Sequence, residues 1–365
     1  MSAQTLSRRI FVGLSGGVDS AVAAALLQRQ GHAVEAVFMK NWEEDDAPGH
    51  CAAAADLADA QAVADWLGIP LHAVNFATEY WDHVFAHFLA EYRAGRTPNP
   101  DVLCNREIKF RALLDHALAR GAEAIATGHY ARATPAADGV HLQRAADEAK
   151  DQTYFLYQLD QRQLGRALFP LADLTKPAVR ALAREFGLPN HARRDSTGIC
   201  FIGERRFRDF LQRYLPAQPG DIETPAGRRV GRHAGLHYYT PGQRHGLDVG
   251  GVRGAAQSPW FVVGKDLARN VLVVAQDHDH PLLLARSLRA TPVHWILGAP
   301  PAAAFRCLAR CRHRQPLQDC RVEIAGEAAR VRFDAPQRAL TPGQSVVWYQ
   351  GQDCLGGGVI DAVGD

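Results

Sequence analysis

Short apolar runs alternate with longer amphipathic stretches through the first 130 residues of the chain. The apolar runs predict β-strands, and the amphipathic stretches predict α-helices. The predicted strands are residues 9–14, 33–39, 71–76 and 124–127, and the predicted helices are residues 20–30, 50–67, 81–93 and 105–120. This alternation predicts an α/β domain with a parallel sheet and helices on both faces. Ligands of such domains bind at the carboxyl ends of the strands.

The pattern becomes β-rich after a further predicted helix at residues 176–186. Short predicted strands follow at residues 260–263, 271–275, 305–314, 321–324, 329–333 and 345–349. Regularly spaced short strands with turn residues between them indicate a small barrel or sandwich. We therefore expect an N-terminal α/β domain at residues 1–206, a small β-rich central domain at 207–280 and a C-terminal β-barrel domain at 281–365.

The composition indicates a globular protein rather than a membrane or disulfide-stabilised one. Of the 365 residues, 47% are hydrophobic, yet no run is long and apolar enough to span a membrane. Residues 1–9 lack the apolar segment of a signal peptide. Seven cysteines, an odd number, argue against a disulfide scaffold and leave core residues, ligands or reactive thiols. We expect a cytoplasmic, monomeric enzyme.

Positive charge is concentrated locally, although 41 basic and 39 acidic residues give a net charge of only +2. This balance excludes a general polyanion binder, but a local basic surface can still bind nucleic acid. In residues 305–314, arginine occupies four of the five even positions, and mostly apolar residues occupy the odd ones. The alternation predicts a strand with one face toward a core and an arginine face toward solvent or phosphate. A solvated basic face is the alternative interpretation.

The stretch LSGGVDSAV, residues 14–22, joins the first predicted strand to the first predicted helix. Gly16 and Gly17 permit a tight turn and the close approach of a ligand. The N–H groups and the dipole at the start of the helix favour an anion, so a phosphate or pyrophosphate is the expected ligand. An ordinary turn with a serine cap is the alternative. No lysine follows as in a Walker A loop, and Ser15 breaks a dinucleotide fingerprint.

Residues 15–20, SGGVDS, resemble the signature of the PP-loop ATP pyrophosphatases. The resemblance implies that the loop holds the β,γ-pyrophosphate of ATP while a nucleophile attacks the α-phosphate. AMP is then transferred to the substrate, and pyrophosphate leaves. The signature does not identify which substrate is adenylated.

Two cysteines lie in contexts that favour reactivity. Pro98 and Pro100 predict that a helix begins only at about Asn105, which places Cys104 at or near its N-cap, where the dipole stabilises a thiolate. Asp101, three residues earlier, is a candidate proton carrier. A buried, inert cysteine is the alternative interpretation.

The second cysteine, Cys200, lies in the segment DSTGICFIG, residues 195–203. Its immediate neighbours are apolar, and arginines at positions 193, 194, 205 and 206 surround the segment. The arginines would lower the pKa of the thiol, whereas burial would raise it. Gly198 and Gly203 predict a flexible loop that is able to move.

Five motifs together resemble the bacterial tRNA-specific 2-thiouridylase family. They are GLSGGVDS, NPDVLCN, TGHYA, KDQTYFL and DSTGICFIG, in this order, and the likeness extends to LGGGVI near the C-terminus. Thr153 stands where the fourth motif was expected to have serine, and it keeps the hydroxyl group. The resemblance implies an N-terminal PP-loop domain that carries the catalytic residues.

The resemblance also implies site residues. ATP would be bound by Gly13, Leu14, Ser15, Gly16, Gly17, Val18, Asp19, Ser20, Met39 and Gly128. Asn99, Pro100 and Asp101 would approach the target base, and Lys150, Asp151, Gln152, Arg312 and His313 would contact tRNA. Cys104 would be the nucleophile and Cys200 the persulfide carrier, with a transient Cys104–Cys200 disulfide and with Asp101 as a third catalytic residue.

The implied reaction is ATP-dependent 2-thiolation of the wobble uridine, position 34, of the tRNAs for lysine, glutamate and glutamine. The implied cofactors are ATP and Mg²⁺, with Asp19 as a possible organiser of the ion and no assigned ligands. The sulfur would come from a sulfur-relay carrier protein or a cysteine desulfurase, and the base would leave its stack to enter the site.

Three alternatives to this interpretation are a metal site, another PP-loop enzyme and a non-enzymatic tRNA-binding protein. Cys307, Cys311, Cys320 and Cys354 contain only one compact Cys-x3-Cys pair, so we predict no metal site. Another PP-loop enzyme, such as an argininosuccinate synthetase or a tRNA lysidine synthetase, needs no pair of catalytic cysteines. A non-enzymatic tRNA-binding protein with a vestigial loop would not need intact loop and cysteine motifs.

Overall fold

The helices of the protein lie almost entirely in the first 212 residues. A computed structural model of the chain describes residues 7–43, 52–194, 207–250 and 258–364. The helices are α1 (Val18–Arg29), α2 (Ala52–Leu67), α3 (Ala77–Tyr80), α4 (Ala86–Arg93), α5 (Pro100–Leu103), α6 (Leu113–Ala119), α7 (Thr153–Leu156), α8 (Gln161–Leu164), α9 (Lys176–Glu185) and α10 (Phe207–Gln212). Wider, π-type turns connect α3 to α4 (Trp81–Phe85) and α5 to α6 (Cys104–Ala112), and 3₁₀ turns lie at Leu236–Tyr238 and Pro281–Leu283.

The strands form three sheets. In chain order they are β1 (Arg9–Gly13), β2 (Ala33–Lys40), β3 (Leu71–Asn75), β4 (Ala124–Ala126), β5 (Arg132–Ala136), β6 (Gly139–Gln143), β7 (Ala167–Leu168), β8 (Gly220–Glu223), β9 (Arg229–His233), β10 (Trp260–Asp266), β11 (Val271–Gln276), β12 (Leu284–Trp295), β13 (Ala304–Arg310), β14 (Gln318–Ala325), β15 (Ala328–Arg338), β16 (Ser345–Gln350) and β17 (Asp353–Gly364). Across these described ranges, no helix is both long enough and apolar enough to cross a membrane.

The first sheet is parallel, with the strand order β3-β2-β1-β4-β7. Its central strand, β1, is buried over residues 10–13, as expected for a strand covered on both faces. Residues 21–25 of helix α1 are all buried, and all of them except Val22 are alanines. These small side chains allow the helix to lie close to both the sheet and α9. The four predicted strands of this sheet begin at the predicted residues and end within one residue of the predicted positions.

The helix that carries Cys104 begins earlier than predicted. The expectation that Pro98 and Pro100 keep the segment out of a helix is wrong for Pro100, which occupies the first helical position. A proline is tolerated there because its missing N–H would have no partner in the first turn. Asn99 caps the helix, and its side-chain oxygen accepts a hydrogen bond from the backbone N–H of Asp101 at 3.1 Å.

The central and C-terminal sheets confirm the predicted fold class. The central sheet has the order β10-β11-β8-β9 around a small core that includes Ile222, Val262 and Leu272. The last six strands follow the order β12-β15-β14-β13-β16-β17, and β12 also pairs with β17, which closes an antiparallel barrel. Closure leaves this sheet without free edges along its paired length.

A hairpin of the N-terminal domain extends the barrel, which the sequence did not lead us to expect. Strands β5 and β6 pair with each other, and β6 pairs with β17 through Gln143 opposite Asp353 and Leu142 opposite Cys354. The signal was present, since polar and apolar residues alternate around an Ala-Asp-Gly turn at residues 137–139. Two domains therefore share one hydrogen-bonded sheet.

The arginine strand is not the two-faced strand that its alternation predicts. Strand β13 ends at Arg310, and the side chain of Arg310 is buried, with only 8% exposed. It lies 3.6 Å from the fully buried Asp151 carboxylate and over the ring of Tyr349. The even-numbered side chains of β13 are exposed at the start of the strand and buried at its end. The barrel packs on the N-terminal domain at that second end.

We predict that Arg310→Met destabilises the protein by about 3–5 kcal/mol, because it leaves the Asp151 carboxylate buried without its cation. Calorimetry and denaturant titration should show a lower melting temperature and a lower unfolding midpoint. The double variant Asp151→Asn/Arg310→Met should recover more than half of the loss, since no buried charge then lacks a partner.

Arg289→Met serves as the matched control, because Arg289 is an exposed barrel arginine that pairs with Asp361 at 3.2 Å. Its loss should change the free energy of unfolding by about 1 kcal/mol or less. If Arg310→Met melts like Arg289→Met, the buried pair does not stabilise the domain junction.

Candidate functional site

The loop between β1 and α1 is a closed turn held by its own serines. The hydroxyl of Ser20 accepts a hydrogen bond from the N–H of Ser15 at 3.2 Å and donates one to the carbonyl of Gly17 at 3.1 Å. Gly16 has a φ of +75°, and a Cβ at that position would lie 2.6 Å from the carbonyl oxygen of Asp56. A glycine is therefore required at position 16 for both conformation and space.

Three strands bring the predicted ATP-binding residues together at one edge of the sheet. A Cβ on Gly128, just after β4, would lie 2.6 Å from the backbone nitrogen of Ser20, so β4 ends directly against the first turn of α1. A Cβ on Gly13 would lie 3.4 Å from the terminal carbon of Met39 and 3.5 Å from Leu113 of α6. The helix that carries Cys104 thus reaches the loop through its α6 end.

The carboxylate of Asp19 is held by a lysine and a tyrosine that the sequence reasoning missed. Lys176 donates from Nζ to both carboxylate oxygens of Asp19, at 2.7 and 2.8 Å, and the hydroxyl of Tyr130 donates at 3.0 Å. The Lys176 side chain is 13% exposed. The loop lacks a lysine of its own, and α9 brings one to it from 157 positions further along the chain. Only the position of Lys176 at a predicted helix start was visible in the sequence.

These contacts do not fit the expected role of Asp19 as an organiser of Mg²⁺. Its carboxylate already accepts hydrogen bonds from an ammonium group and a hydroxyl group. The described ranges also contain no cluster of three or more acidic, histidine or cysteine side chains suited to a metal ion. We therefore derive no step of the reaction from a protein-bound magnesium ion.

The rear of the loop is anchored by the segment that leads toward Cys200. Asn190 donates to the carbonyl of Gly16 at 2.7 Å, and Arg193 donates to the same carbonyl at 3.2 Å. Arg193 also forms ion pairs with Asp56 and Asp59 of α2. Cys200, and with it the expected Cys104–Cys200 disulfide, lies outside the described residues.

Cys104 lies one turn inside a helix whose N-cap is Asn99, so the predicted start of the helix at about Asn105 is wrong. One helical turn, α5, precedes it, and the thiol is fully buried. The stabilisation of a thiolate by an N-terminal dipole therefore does not apply in the form expected. Cys104 is instead the first residue of the π-type segment, a local widening that is frequent at functional sites. The side chain of Asn105 next to it donates to the carbonyl of Phe155 at 3.1 Å.

All three domains hold the segment that leads into Asn99, Pro100 and Asp101. The N–H of Thr97 donates to the carbonyl of Pro342 at 3.0 Å, and the Gln344 side chain donates to the carbonyl of Thr97 at 2.7 Å, both from the barrel domain. Lys265 of the central domain donates to the carbonyl of Gly95 at 2.9 Å. Burial lowers the pKa of Lys265 to about 8. The predicted target-base residues are therefore positioned by contacts from outside their own domain.

Three of the residues predicted to contact tRNA, Asp151, Gln152 and His313, have defined hydrogen-bond partners within the protein. Gln152 exchanges two hydrogen bonds with Tyr130, one through its side-chain oxygen at 3.0 Å and one through its N–H at 2.9 Å. His313 donates from Nε2 to the carbonyl of Asp151 at 2.8 Å. The Asp151 carboxylate faces inward, accepts a hydrogen bond from the Thr153 hydroxyl at 2.8 Å, and has its pKa raised by burial.

Arg312 and Lys150 are more accessible to solvent than the buried Asp151. Arg312 is exposed, and one of its nitrogens donates to the carbonyls of Pro241 at 3.1 Å and Ala339 at 3.2 Å. It therefore bridges the central domain and the barrel. Lys150 is half-buried beside the buried Asp151.

His129 is a further polar group at this edge of the sheet. Its Nδ1 lies 2.8 Å from the hydroxyl of Thr127, and its ring lies beside Phe110. Burial and the nearby Lys109 hold the pKa of His129 well below its ordinary value, so the imidazole is neutral at physiological pH. The TGHYA motif contains this histidine, but no spacing rule distinguished it from a core residue.

Three family models match the chain in succession. Residues 8–204 match the tRNA methyl transferase HUP domain, residues 208–276 the tRNA methyl transferase PRC-barrel domain, and residues 285–360 the aminomethyltransferase beta-barrel domain. Among solved structures, the U34-tRNA thiolase NcsA from Methanococcus maripaludis is 17% identical with a TM-score of 0.36, over 58% of this chain and 69% of its own. We base no inference on a likeness of that size.

Curated relatives match over nearly the whole length of the chain. A tRNA-specific 2-thiouridylase MnmA from Methylococcus capsulatus is 61% identical over 96% of this chain and 96% of its own. The protein of the same name from Marinobacter nauticus is 58% identical over 97% of this chain and 91% of its own. The family expected from the five motifs is confirmed, and the chain belongs to the MnmA family of tRNA-specific 2-thiouridylases.

Proposed function

We propose that the protein catalyses ATP-dependent 2-thiolation of the wobble uridine, position 34, of the tRNAs for lysine, glutamate and glutamine. The products are 2-thiouridine, AMP and pyrophosphate, and the reaction takes place in the cytoplasm. The proposal rests on one observation: the closed SGGVDS turn, Lys176 and the helix that contains Cys104 lie together at one edge of the sheet. Family membership supports the choice of substrate.

Adenylation requires that the loop hold a pyrophosphate. The first N–H groups of α1 lack partners within the helix, and the dipole favours an anion at this end. Lys176 supplies a cation beside these groups, and Asp19 and Tyr130 fix its place. Together they stabilise the charge that develops on the leaving pyrophosphate when the 2-oxygen of the uridine attacks the α-phosphorus.

Sulfur transfer requires the two cysteines in different roles. The terminal sulfur of a Cys200 persulfide attacks C2 of the adenylated uridine, and AMP leaves with the oxygen. The Cys104 thiolate then attacks the Cys200 sulfur, which forms a Cys104–Cys200 disulfide and leaves the second sulfur on C2. In the alternative order, Cys104 releases hydrosulfide from the persulfide before the attack on C2. An external thiol must reduce the disulfide before the next turnover.

Asn99 and Asp101 are the proposed contacts of the flipped base, because they start the helix that leads to Cys104. The proposed tRNA contacts are Lys150, Gln152, Arg312 and His313. Asp151 is buried, so its proposed role is indirect: its backbone carbonyl accepts a hydrogen bond from His313. The persulfide donor is a sulfur-relay carrier protein or a cysteine desulfurase. Magnesium would accompany the ATP phosphates without an assigned protein ligand.

ATP should be cleaved to AMP and pyrophosphate only when substrate tRNA is present, because the loop holds pyrophosphate and transfers no γ-phosphoryl group. Chromatography of radiolabelled nucleotides after incubation with an unmodified tRNA transcript tests this prediction. Dominant ADP and phosphate would contradict the assignment of the loop. A tRNA without uridine at position 34 is the control and should leave ATP intact.

Lys176→Met should weaken ATP binding at least about fivefold, because the loss of one close cation costs on the order of 1–4 kcal/mol near a protein surface. Equilibrium dialysis with labelled ATP measures the effect without a need for turnover. The double variant Asp19→Asn/Lys176→Met should remain weak, because the ammonium group itself attracts the phosphates.

Arg29→Met is the control for this series. Arg29 pairs with Glu185 at 3.5 Å, so it joins the same two helices, α1 and α9, at their exposed opposite end. Its ATP affinity should equal that of the unmodified protein. Full recovery of ATP binding in the double variant would show that Lys176 only neutralises Asp19, and an unchanged affinity in Lys176→Met would refute its role.

Cys200→Ser and Cys104→Ser should both lose thiolation while they retain ATP-dependent pyrophosphate release, because serine keeps the volume but cannot carry a persulfide or form a disulfide. Cys104→Ser should still accept a persulfide at Cys200. Pyrophosphate assay, mass spectrometry of tRNA nucleosides and persulfide labelling separate the steps. Normal thiolation by Cys200→Ser would place the sulfur path elsewhere, and Cys354→Ser, a buried core thiol, is the control.

A further inference from the structure

Four adjacent barrel strands, β12, β15, β14 and β13, carry arginines on their outer side. We call this surface the barrel arginine face. Besides Arg286, which donates to the carbonyl of Asp334 at 2.7 Å, its exposed arginines are these five: Arg289, Arg306, Arg321, Arg330 and Arg332. The inner side of the same strands is apolar and fills the barrel with residues such as Leu288, Val322 and Val331. The arginines therefore belong to a regular two-faced sheet, in contrast to Arg310 of the buried junction.

Three of the five arginines have an acidic partner and two do not. Arg306 pairs with Asp334, Arg321 with Glu323 at 2.9 Å, and Arg289 with Asp361 at 3.2 Å. Arg330 and Arg332 have no carboxylate within ion-pair distance in the part of the chain that the structure describes. Both lie on the outer side of β15, two residues apart.

The strand register places like charges side by side. Arg332 lies directly opposite Arg321 on β14 and opposite Ser287 on β12. Arg321 in turn lies opposite Arg306 on β13, so three guanidinium groups form one row across the sheet. Like charges directly opposite each other destabilise a sheet. An anion bound between them removes that repulsion.

A groove opens where this row crosses β15. It has a volume of about 390 Å³, and its lining consists of Ser287, Arg321, Glu323, Arg330 and Arg332. Every lining residue that the structure describes is polar or charged, and none of them is an aromatic or aliphatic side chain that would anchor a protein partner. The Glu323 carboxylate pairs with Arg321 at 2.9 Å and lies on β14 directly opposite Arg330, beyond ion-pair distance of it. Guanidinium forks and a hydroxyl are the donors that bind phosphate oxygens.

We propose that Arg330 and Arg332 bind consecutive phosphates of the tRNA backbone in this groove, as a contact separate from the catalytic edge. Side chains two residues apart on a strand lie about 6.6–6.8 Å from each other along it, a spacing that suits a chain of phosphates rather than one small anion. The opposite wall of the barrel, including Val347 and Tyr349, packs on the N-terminal domain. The groove therefore binds a part of the tRNA that lies outside the catalytic cleft.

This inference rests on the proposed tRNA substrate, and it predicts a salt-dependent effect of Arg330→Gln/Arg332→Gln. The slope of log affinity for an unmodified tRNA transcript against log salt should fall by about 1.4–1.8, since two phosphate contacts are lost. Filter binding from 50 to 300 mM potassium chloride measures the slope. Pyrophosphate release at saturating tRNA should match the unmodified protein, because both arginines are exposed and remote from the nucleotide loop. The melting temperature should be no lower, since the change also removes the repulsion between Arg332 and Arg321.

The double variant Arg29→Gln/Arg184→Gln is the control, because it removes the same charge from exposed helix positions, and its slope should not change. An unchanged slope in Arg330→Gln/Arg332→Gln overturns the inference, even if binding of polyglutamate, a probe for an acidic protein partner, falls. Complete competition by millimolar inorganic phosphate overturns it as well, because the groove would then be a site for a single phosphate. If the unmodified protein does not bind the transcript at all, the proposed function itself fails.

Discussion

The burial of the Asp151 carboxylate at the junction of two domains is the constraint on which the rest of the structure depends. A carboxylate removed from water requires a cation and hydrogen-bond donors, and Arg310 and Thr153 provide them. Arg310 belongs to the barrel, so this requirement fixes the barrel against the N-terminal domain. The hairpin that extends strand β17 fixes the same junction with backbone hydrogen bonds. The two restraints act at the same end of the barrel, where it packs on the N-terminal domain.

A short path of contacts runs from this junction to the nucleotide loop. Asp151 is followed by Gln152, which exchanges two hydrogen bonds with Tyr130, and the hydroxyl of Tyr130 reaches Asp19. Asp19 in turn holds Lys176. The residues expected to contact tRNA and those expected to bind ATP are thus neighbours in one network. A displacement of His313 therefore has a physical route to the N-terminal end of α1, because each contact in the path is direct.

Local sequence signals predicted the elements whose structure is decided locally. The strands of the first sheet, the closed turn at Gly16 and the two later β domains follow from hydrophobic period, glycine and turn residues. Tertiary contacts decided what was missed. The start of the helix at Pro100 is the exception, since the Asn99 cap that sets it is local. Arg310 turns inward because Asp151 needs a cation, and Lys176 reaches Asp19 only after the sheet forms. No pattern within a short window contains such pairings, since their partners are 157 or more positions apart.

The anchor of the nucleotide loop also limits where the second cysteine can be. Arg193 donates to the carbonyl of Gly16 and pairs with two carboxylates of α2, so its position is fixed relative to the loop. Cys200 follows seven residues later, and an extended chain of that length spans at most about 25 Å. Cys104 is fully buried in a helix whose far end contacts Gly13. The sulfur transfer proposed for these cysteines would therefore require that the buried Cys104 thiol become accessible. Because Arg193 is anchored on the carbonyl of Gly16, a ligand bound at the loop would act on the residue from which the segment leading to Cys200 begins.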